Sequence, residues 1–436
     1  MINITKLYCD RATEGDALRY GRRGAAADPL GRPIAATAGA RRPVVVWNIT
    51  RTCNLRCIHC YTDSEARRYA GELTPEQGHA LIEDLAQFGI PALLFSGGEP
   101  LTHPHLFEWV SHAVSRGVRP TLSTNGTLIT GETARRIKES GFTYVGISLD
   151  GIGEINDCFR GAAGAFDRAV AGFRNCVAAG QRVGLRLTLT RHNYENLEPI
   201  FDFIEAEAID RACFYHLVYS GRGSLISEDD LTPAMSRGAM DIILRRTRDF
   251  HARGIDKDIL TVDNHADGPY LYLKLLEEGA EEHAARVRSL LEWNGGGRFS
   301  SGVGIGDIDF LGDVHPDQFW MDYRLGNVKE RPFSAIWTDT SDPLLAGLKD
   351  RLPLLKGRCR ECQFLPLCGG AMRVRAQRVF GDPWAPDPGC YLTDEEIGLT
   401  PARRERLAAA GEDYPVPAAR PEAAPAPGPS PAGERA

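Results

Sequence analysis

From residue 44 onward, short runs of apolar and β-branched residues alternate with longer stretches whose apolar positions recur every three or four residues. The runs cover residues 44–47, 92–95, 120–123, 144–148, 183–188 and 212–216. Between them the 3.6-residue period predicts helices over 75–88, 106–116, 132–140, 165–179 and 196–208. Strands that alternate with helices make βαβ units and a parallel sheet. Six in series predict an α/β fold with an open, barrel-like sheet, whose functional residues gather at the C-terminal strand ends. This barrel spans 44–229, after an Arg-, Gly- and Ala-rich extension (1–43) without sustained periodicity. Residues 230–298 read as a mostly helical connection ending in Gly295-Gly296-Gly297. Residues 299–398 begin with β-like runs at 305–310 and 313–315 and continue into a Cys-dense loop, and 399–436 read as a Pro/Ala-rich tail, largely disordered.

Composition narrows the classes. With 436 residues, 43% hydrophobic and 25% charged, the chain has material for a large core. Its net charge of −7 argues against nucleic acid as the partner. No apolar run approaches the ~18 residues of a membrane span, and the first residues lack a signal-peptide pattern, so no membrane partner and a cytoplasmic location are expected. The cysteine count is eleven, an odd number that fits a disulfide framework poorly, and seven of these residues fall into two spaced groups.

The first group, Cys53-x3-Cys57-x2-Cys60, follows the first predicted strand. Three thiolates on one loop can hold three corners of a cubane iron–sulfur cluster and leave the fourth iron open. A zinc site would need a fourth ligand, for which His59 is awkwardly spaced. The second group, Cys359, Cys362, Cys368 and Cys390, supplies four thiolates, enough for a complete cluster or for a zinc ribbon. Cys158, Cys176 and Cys213 read as small buried hydrophobes, and Cys9 as structural.

With the cysteine loop in place, the next strand ends carry Gly97-Gly98-Glu99-Pro100, Ser123-Thr124-Asn125-Gly126 and Ser148-Leu149-Asp150-Gly151. In this order the motifs resemble those of radical S-adenosylmethionine (SAM) enzymes. The resemblance implies a partial (β/α)6 barrel, a 4Fe-4S cluster on Cys53, Cys57 and Cys60, and SAM chelating the open iron through its amino and carboxylate groups. It further implies that Gly97, Gly98 and Glu99 receive the methionyl ammonium and that Ser123, Asn125, Ser148 and Asp150 face ribose and cofactor. Arg186 and Thr188 would lie near the methionyl carboxylate, and Tyr61 near adenine. One electron then cleaves the sulfonium C–S bond to give a 5′-deoxyadenosyl radical, so a low-potential donor of flavodoxin or ferredoxin type is implied. The second cysteine group is similar to a C-terminal SPASM/twitch-type domain, which implies a second, auxiliary 4Fe-4S cluster on Cys359, Cys362, Cys368 and Cys390.

Within this family, Ser300-Ser301-Gly302-Val303-Gly304-Ile305, Val314-His315-Pro316-Asp317-Gln318-Phe319-Trp320, Asp263-Asn264-His265-Ala266-Asp267-Gly268 and Tyr219-Ser220-Gly221-Arg222-Gly223 resemble enzymes of siroheme-dependent haem synthesis. The openings at 4–9, 18–22 and 44–48 look more like the branch that removes two acetate arms from 12,18-didecarboxysiroheme to give iron-coproporphyrin III. The other branch, that of haem d1, replaces propionates by oxo groups on the same substrate. An iron tetrapyrrole bearing carboxylates calls for arginine and an axial ligand such as histidine. Arg222, His216, His265 and His315 are candidates, with Trp320 as a stacking surface; each has an ordinary structural reading beside it. Two further classes compete. A peptide maturase shares the auxiliary region but often uses a winged-helix module, for which 1–43 is too short. A non-enzymatic iron–sulfur or haem carrier would have no need of the SAM-like segments.

Overall fold

The computed structural model describes residues 1–13, 16, 19 and 41–414. Its strands are β1 (Ile2–Asn3), β2 (Val44–Asn48), β3 (Leu93–Ser96), β4 (Pro120–Thr124), β5 (Tyr144–Ser148), β6 (Val183–Leu189), β7 (Arg211–His216), β8 (Asp258–Val262), β9 (Ile305–Ile308), β10 (Asp313–His315) and β11 (Gly326–Asn327). They form one sheet in the order β1-β8-β7-β6-β5-β4-β3-β2-β9-β10-β11. Pairing is parallel from β8 through β2 to β9, and antiparallel at the two ends, β1 on β8 and β9-β10-β11.

Strand alternation sorts side chains between two environments, because successive residues point to opposite faces. On β6, Leu185, Leu187 and Leu189 are buried in the main core, whereas Arg186 and Thr188 line the interior cavity. On β2, Trp47 packs against Trp109 at 4.6 Å, whereas Val46 lines the cavity. Phe214 on β7 stacks on Phe201 of the helix Leu197–Ala206 at 5.1 Å, and its neighbour Tyr215 faces inward. The helices begin where local chemistry allows. Thr74 and Gln77 form a capping box at the start of Pro75–Phe88, which buries Leu81, Ile82 and Leu85 and stops at Gly89 (φ 78°).

The structure adds detail to three segments. The extension at 1–43 contributes to the fold: β1 pairs with β8, and the helix Ile4–Cys9 buries Ile4, Leu7 and Tyr8. A two-residue strand carries no readable period. The connection at 230–298 contains, between its helices, the parallel strand β8. The tail begins with a helix, Pro401–Ala409, capped by Thr400 and seated through buried Leu407; residues 415–436 lie outside the described residues, as do all of 18–22 except Arg19. Among the described residues no helix is long and apolar enough to cross a membrane.

Candidate active site

The C-terminal ends of β2 to β7 surround one cavity, and the loop after β2 supplies part of its wall, including Cys53, Cys57 and Cys60. Each sulfur accepts an N–H: Cys53 Sγ from Leu55 N at 3.4 Å, Cys57 Sγ from Arg160 Nη1 at 3.6 Å, and Cys60 Sγ from Ser64 N at 3.5 Å. Burial nevertheless pushes the free Cys53 thiol up to about 12 and the Cys57 thiol upward, and neighbouring sulfurs of the group add to the rise. Three soft donors sharing a cavity, bonded as thiolates are, with Arg160 beside Cys57 offsetting part of their charge, fit an iron-bearing group whose cations hold them ionised. Among the described residues no three His, Cys, Asp or Glu side chains are gathered as a preformed single-ion site.

The loop is fastened from several directions. Arg222 donates from Nε to Cys57 O (2.8 Å), from Nη1 to Asp63 Oδ1 (2.7 Å) and from Nη2 to Ser64 O (3.0 Å). The sequence offers this arginine as a substrate ligand; it lines the cavity, and its hydrogen bonds clamp the cysteine loop. Arg160 pairs with buried Asp150, whose Oδ2 also lies 3.3 Å from His59 Nε2.

Gly97 and Gly98 line the cavity through their backbone. Glu99 does not reach it. Its fully buried carboxylate accepts from Leu101 N (3.1 Å), Thr124 Oγ1 (2.8 Å) and Asn125 N (2.8 Å), tying the β3 end to the β4 end. Burial raises it to about 6 against the pull of these donors. Tyr61, Ser123, Asn125, Ser148, Asp150, Arg186 and Thr188 all line the cavity. Arg186 Nη1 donates to Ser123 Oγ at 2.7 Å, and Tyr61 Oη donates to Asn48 Oδ1 at 2.9 Å.

A second, larger cavity of about 580 Å3 shares Val46, Leu94, Arg186, Tyr215 and Phe319 with the first. Its wall is largely apolar (Val44, Val262, Trp293, Phe299, Met372) with Arg41 and Arg42 among it. The Arg41 guanidinium lies 4.1 Å from the centre of the Phe299 ring and donates to Trp293 O at 3.0 Å; burial lowers it to about 10. His265 lines this cavity with neither ring nitrogen hydrogen-bonded, and burial keeps it neutral. His216 lines the first cavity but holds Asp267 at 3.1 Å and stacks on Tyr391. His315 and Trp320 sit outside both cavities. His315 Nδ1 bonds the Tyr323 carbonyl at 2.8 Å, and Trp320 is packed with Val218, Phe319 and Leu348.

In the second cysteine group, Cys359 lies on the helix Gly357–Glu361, Cys362 follows it, and Cys368 ends the helix Leu365–Cys368; Cys390 approaches from a loop. Burial raises all four thiols, Cys362 to about 12 and Cys390 to about 11, and Cys362, Cys368 and Cys390 are raised further by others of the group. Four partly buried cysteines on neighbouring segments, not gathered tightly enough for one ion, fit the larger core of an iron–sulfur cluster. Of the remaining cysteines, Cys176 and Cys213 are buried and Cys9 is half-buried; Cys158, expected inside, is exposed on the helix Glu154–Arg160. Sequence reasoning missed Arg160, Asn48 and Arg41. Only Arg41 carried a signal, as a cationic residue just before the first barrel strand.

Residues 47–204 match the model of the radical SAM superfamily. The chain is 53% identical to a protein of Methanosarcina barkeri named Fe-coproporphyrin III synthase, over 91% of this chain and 99% of that one. It is 44% identical to a protein of Dinoroseobacter shibae named pre-heme d1 synthase, over 84% of this chain and 90% of that one. Its fold is similar to that of Streptococcus suis SuiB bound to precursor peptide SuiA (TM-score 0.64, 18% identity, 81% of this chain and 77% of that one). From the cysteine loop, the strand-end cavity and these likenesses together, the chain belongs to the radical SAM superfamily.

Proposed function

We propose that this radical SAM enzyme removes the acetate side chains of 12,18-didecarboxysiroheme to give iron-coproporphyrin III. Its superfamily membership brings a 4Fe-4S cluster and SAM, which together supply a 5′-deoxyadenosyl radical on one-electron reduction. Cys53, Cys57 and Cys60 are the cluster ligands in this reading. The Gly97-Gly98 backbone receives the methionyl ammonium, and Glu99 orders that segment from behind. Arg186, steadied by Ser123, and Thr188 serve the methionyl carboxylate; Tyr61 borders adenine, and Asn125, Ser148 and Asp150 border the ribose.

The observation that carries the substrate is the cavity of about 580 Å3 opening from the SAM site, apolar in its walls and carrying Arg41, Arg42 and Arg186 beside the buried carboxyl groups of Asp263 and Asp317. A flat macrocycle with carboxylate arms needs that combination, since apolar walls take the ring and guanidinium groups take the arms. Excluding water there protects a radical from quenching. The likeness to a protein named Fe-coproporphyrin III synthase supports the product, and the likeness to one named pre-heme d1 synthase supports the alternative on the same ring.

Cys359, Cys362, Cys368 and Cys390 hold an auxiliary 4Fe-4S cluster in a SPASM/twitch-like region, and a flavodoxin- or ferredoxin-type donor supplies electrons. Replacing Cys362→Ser is expected to lower bound iron by about four atoms per chain, while zinc at unit stoichiometry with unchanged iron would assign the site to a ribbon. The function itself is tested by anaerobic turnover of didecarboxysiroheme with SAM and dithionite, followed by mass spectrometry. Loss of both acetate arms is the expected result; propionate-to-oxo exchange assigns the haem d1 reaction, and an unchanged ring alongside SAM cleavage overturns the substrate.

A further inference from the structure

Arg351 and Arg373 are among the largest side chains with no exposed surface, at 0% each. Burying a cation is costly unless an opposite charge lies close by. Among the described residues, however, the hydrogen bonds of both guanidinium groups go to carbonyl oxygens. Arg351 Nη2 donates to Ser301 O at 2.8 Å and Nε to Leu348 O at 3.4 Å. Arg373 Nη1 donates to Pro383 O at 3.1 Å and to Ala385 O, and Nη2 donates to Gly370 O. Arg351 Nη1 and Arg373 Nε are buried with no partner at all. The contrast is Arg375, equally buried, which Asp387 neutralises through two bonds of 2.9 and 2.8 Å.

The two guanidinium groups also repel each other. Burial first, and then the charge of Arg373, pull Arg351 down to about 9, which still leaves it protonated at neutral pH. Asp317, the carboxylate that acts on Arg351, is engaged by the Ser301 hydroxyl and held above its usual range by burial. Beside the pair lie the second cysteine group and Asp387, which feels Arg373 but accepts its guanidinium hydrogen bonds from Arg375. Arg373 lowers the Cys359 thiol, Arg351 feels Cys368, and one of the three carbonyls that take Arg373 belongs to Gly370, in the turn leaving Cys368.

This inference rests on the reading of that group as a cluster site. A 4Fe-4S core with four thiolates carries a formal charge of about −2, becoming about −3 when it takes up one electron. We propose that Arg351 and Arg373 are the buried counter-charges of the auxiliary cluster and act as positioning residues that set its one-electron potential. Two fixed cations in a low-dielectric surrounding stabilise the reduced cluster more than the oxidised one, since the added electron raises the charge they face. Removing either cation therefore lowers the potential, and a lysine in its place keeps most of it.

The test uses the full chain with Cys53, Cys57 and Cys60 replaced by Ala, so that only the auxiliary cluster contributes to the EPR signal, titrated anaerobically with dithionite. Arg351→Met and Arg373→Met are each expected to lower the reduction equilibrium constant by about tenfold, or ~59 mV for a one-electron couple, with the Lys variants close to the parent. Midpoints unmoved in both Met variants, or moved as far by Lys as by Met, overturn the proposal. A second measurement guards against a simple packing role. Without the cluster the two charges are a burden, so the cluster-free Met variants should melt no lower than the cluster-free parent, while the loaded ones melt lower than the loaded parent. Met variants that destabilise both forms equally, or do not fold, overturn the proposal. A parent that takes up no iron at all in this background overturns instead the cluster reading on which it rests.

Discussion

Arg160 Nη1 lies 3.6 Å from the Cys57 sulfur, while the same guanidinium is ion-paired with Asp150 at the end of β5. One buried cation thus serves a thiol of the cysteine loop and a cavity carboxylate at once. Removing one member of such a buried pair leaves the other uncompensated, at a cost of about 3–5 kcal/mol. Arg160→Met is therefore expected to lower the urea midpoint of the anaerobic, cluster-loaded protein by that equivalent. Adding Asp150→Asn should recover most of the loss, which separates the charge effect from lost packing.

Gly97 and Gly98 leave no room for a side chain. A Cβ at Gly97, where φ is 138°, would stand 2.4 Å from Thr50 O, and one at Gly98 would stand 2.2 Å from Thr52 O. Those carbonyls cannot retreat, because they accept Gly98 N at 2.7 Å and Glu99 N at 2.8 Å. Gly98→Ala should keep its iron but bind SAM more weakly by about tenfold or more, the scale of overpacking strain. The SAM-induced change in the EPR spectrum of the reduced protein reads this directly.

Arg41 places a half-solvated cation against two aromatic faces in the larger cavity. If it takes a carboxylate arm, Arg41→Ala removes a charge-assisted bond of about 1.5–3 kcal/mol, or roughly 10- to 100-fold in affinity. The expected signature is a raised KM for the tetrapyrrole with SAM affinity unchanged. An unaltered KM removes Arg41 from the substrate contacts.

The pH dependence of stability should carry a mark of His315. Burial acts to lower its pKa, but Asp309, at 3.9 Å, and Asp307, together with the Tyr323 carbonyl, raise it to about 9. Because the folded value lies above the ordinary one of about 6.5, its contribution is full below that pH and is lost as pH rises through 9. Melting temperature should therefore fall between those values, and His315→Gln should flatten the fall. Equal slopes in the two proteins would remove His315 as the cause.

Local pattern carried the barrel well. Strands such as Val183–Leu189 and helices such as Pro75–Phe88 announce themselves through period and caps within their own residues, and the cysteine loop through spacing alone. What stayed hidden depends on partners far along the chain. Arg160 reaches Cys57 across 103 positions, and Asn48 donates to Asp307 across 259. Arg222 shows the same limit: a glycine-flanked loop arginine carries no local sign of the distant carbonyls it clasps. Glu99 was read from its motif as facing the cavity, whereas burial turns it toward the β4 end. His216 and His315 were separable from His265 only once their Asp267 and Tyr323 partners were visible.

The parallel pairing of β9 with β2 has a consequence for how the chain comes together. β2 bears the cysteine loop at its end, yet its second neighbour is made of residues 305–308, so the strand remains an open edge until more than 250 further residues have been synthesised. Open edges of apolar strands recruit other chains. A polypeptide cut at 298 is therefore expected to expose an apolar strand edge beside the cysteine loop. Heterologous expression of the barrel alone should end in aggregates, and nascent chains need protection at that edge until the C-terminal strands arrive to close it.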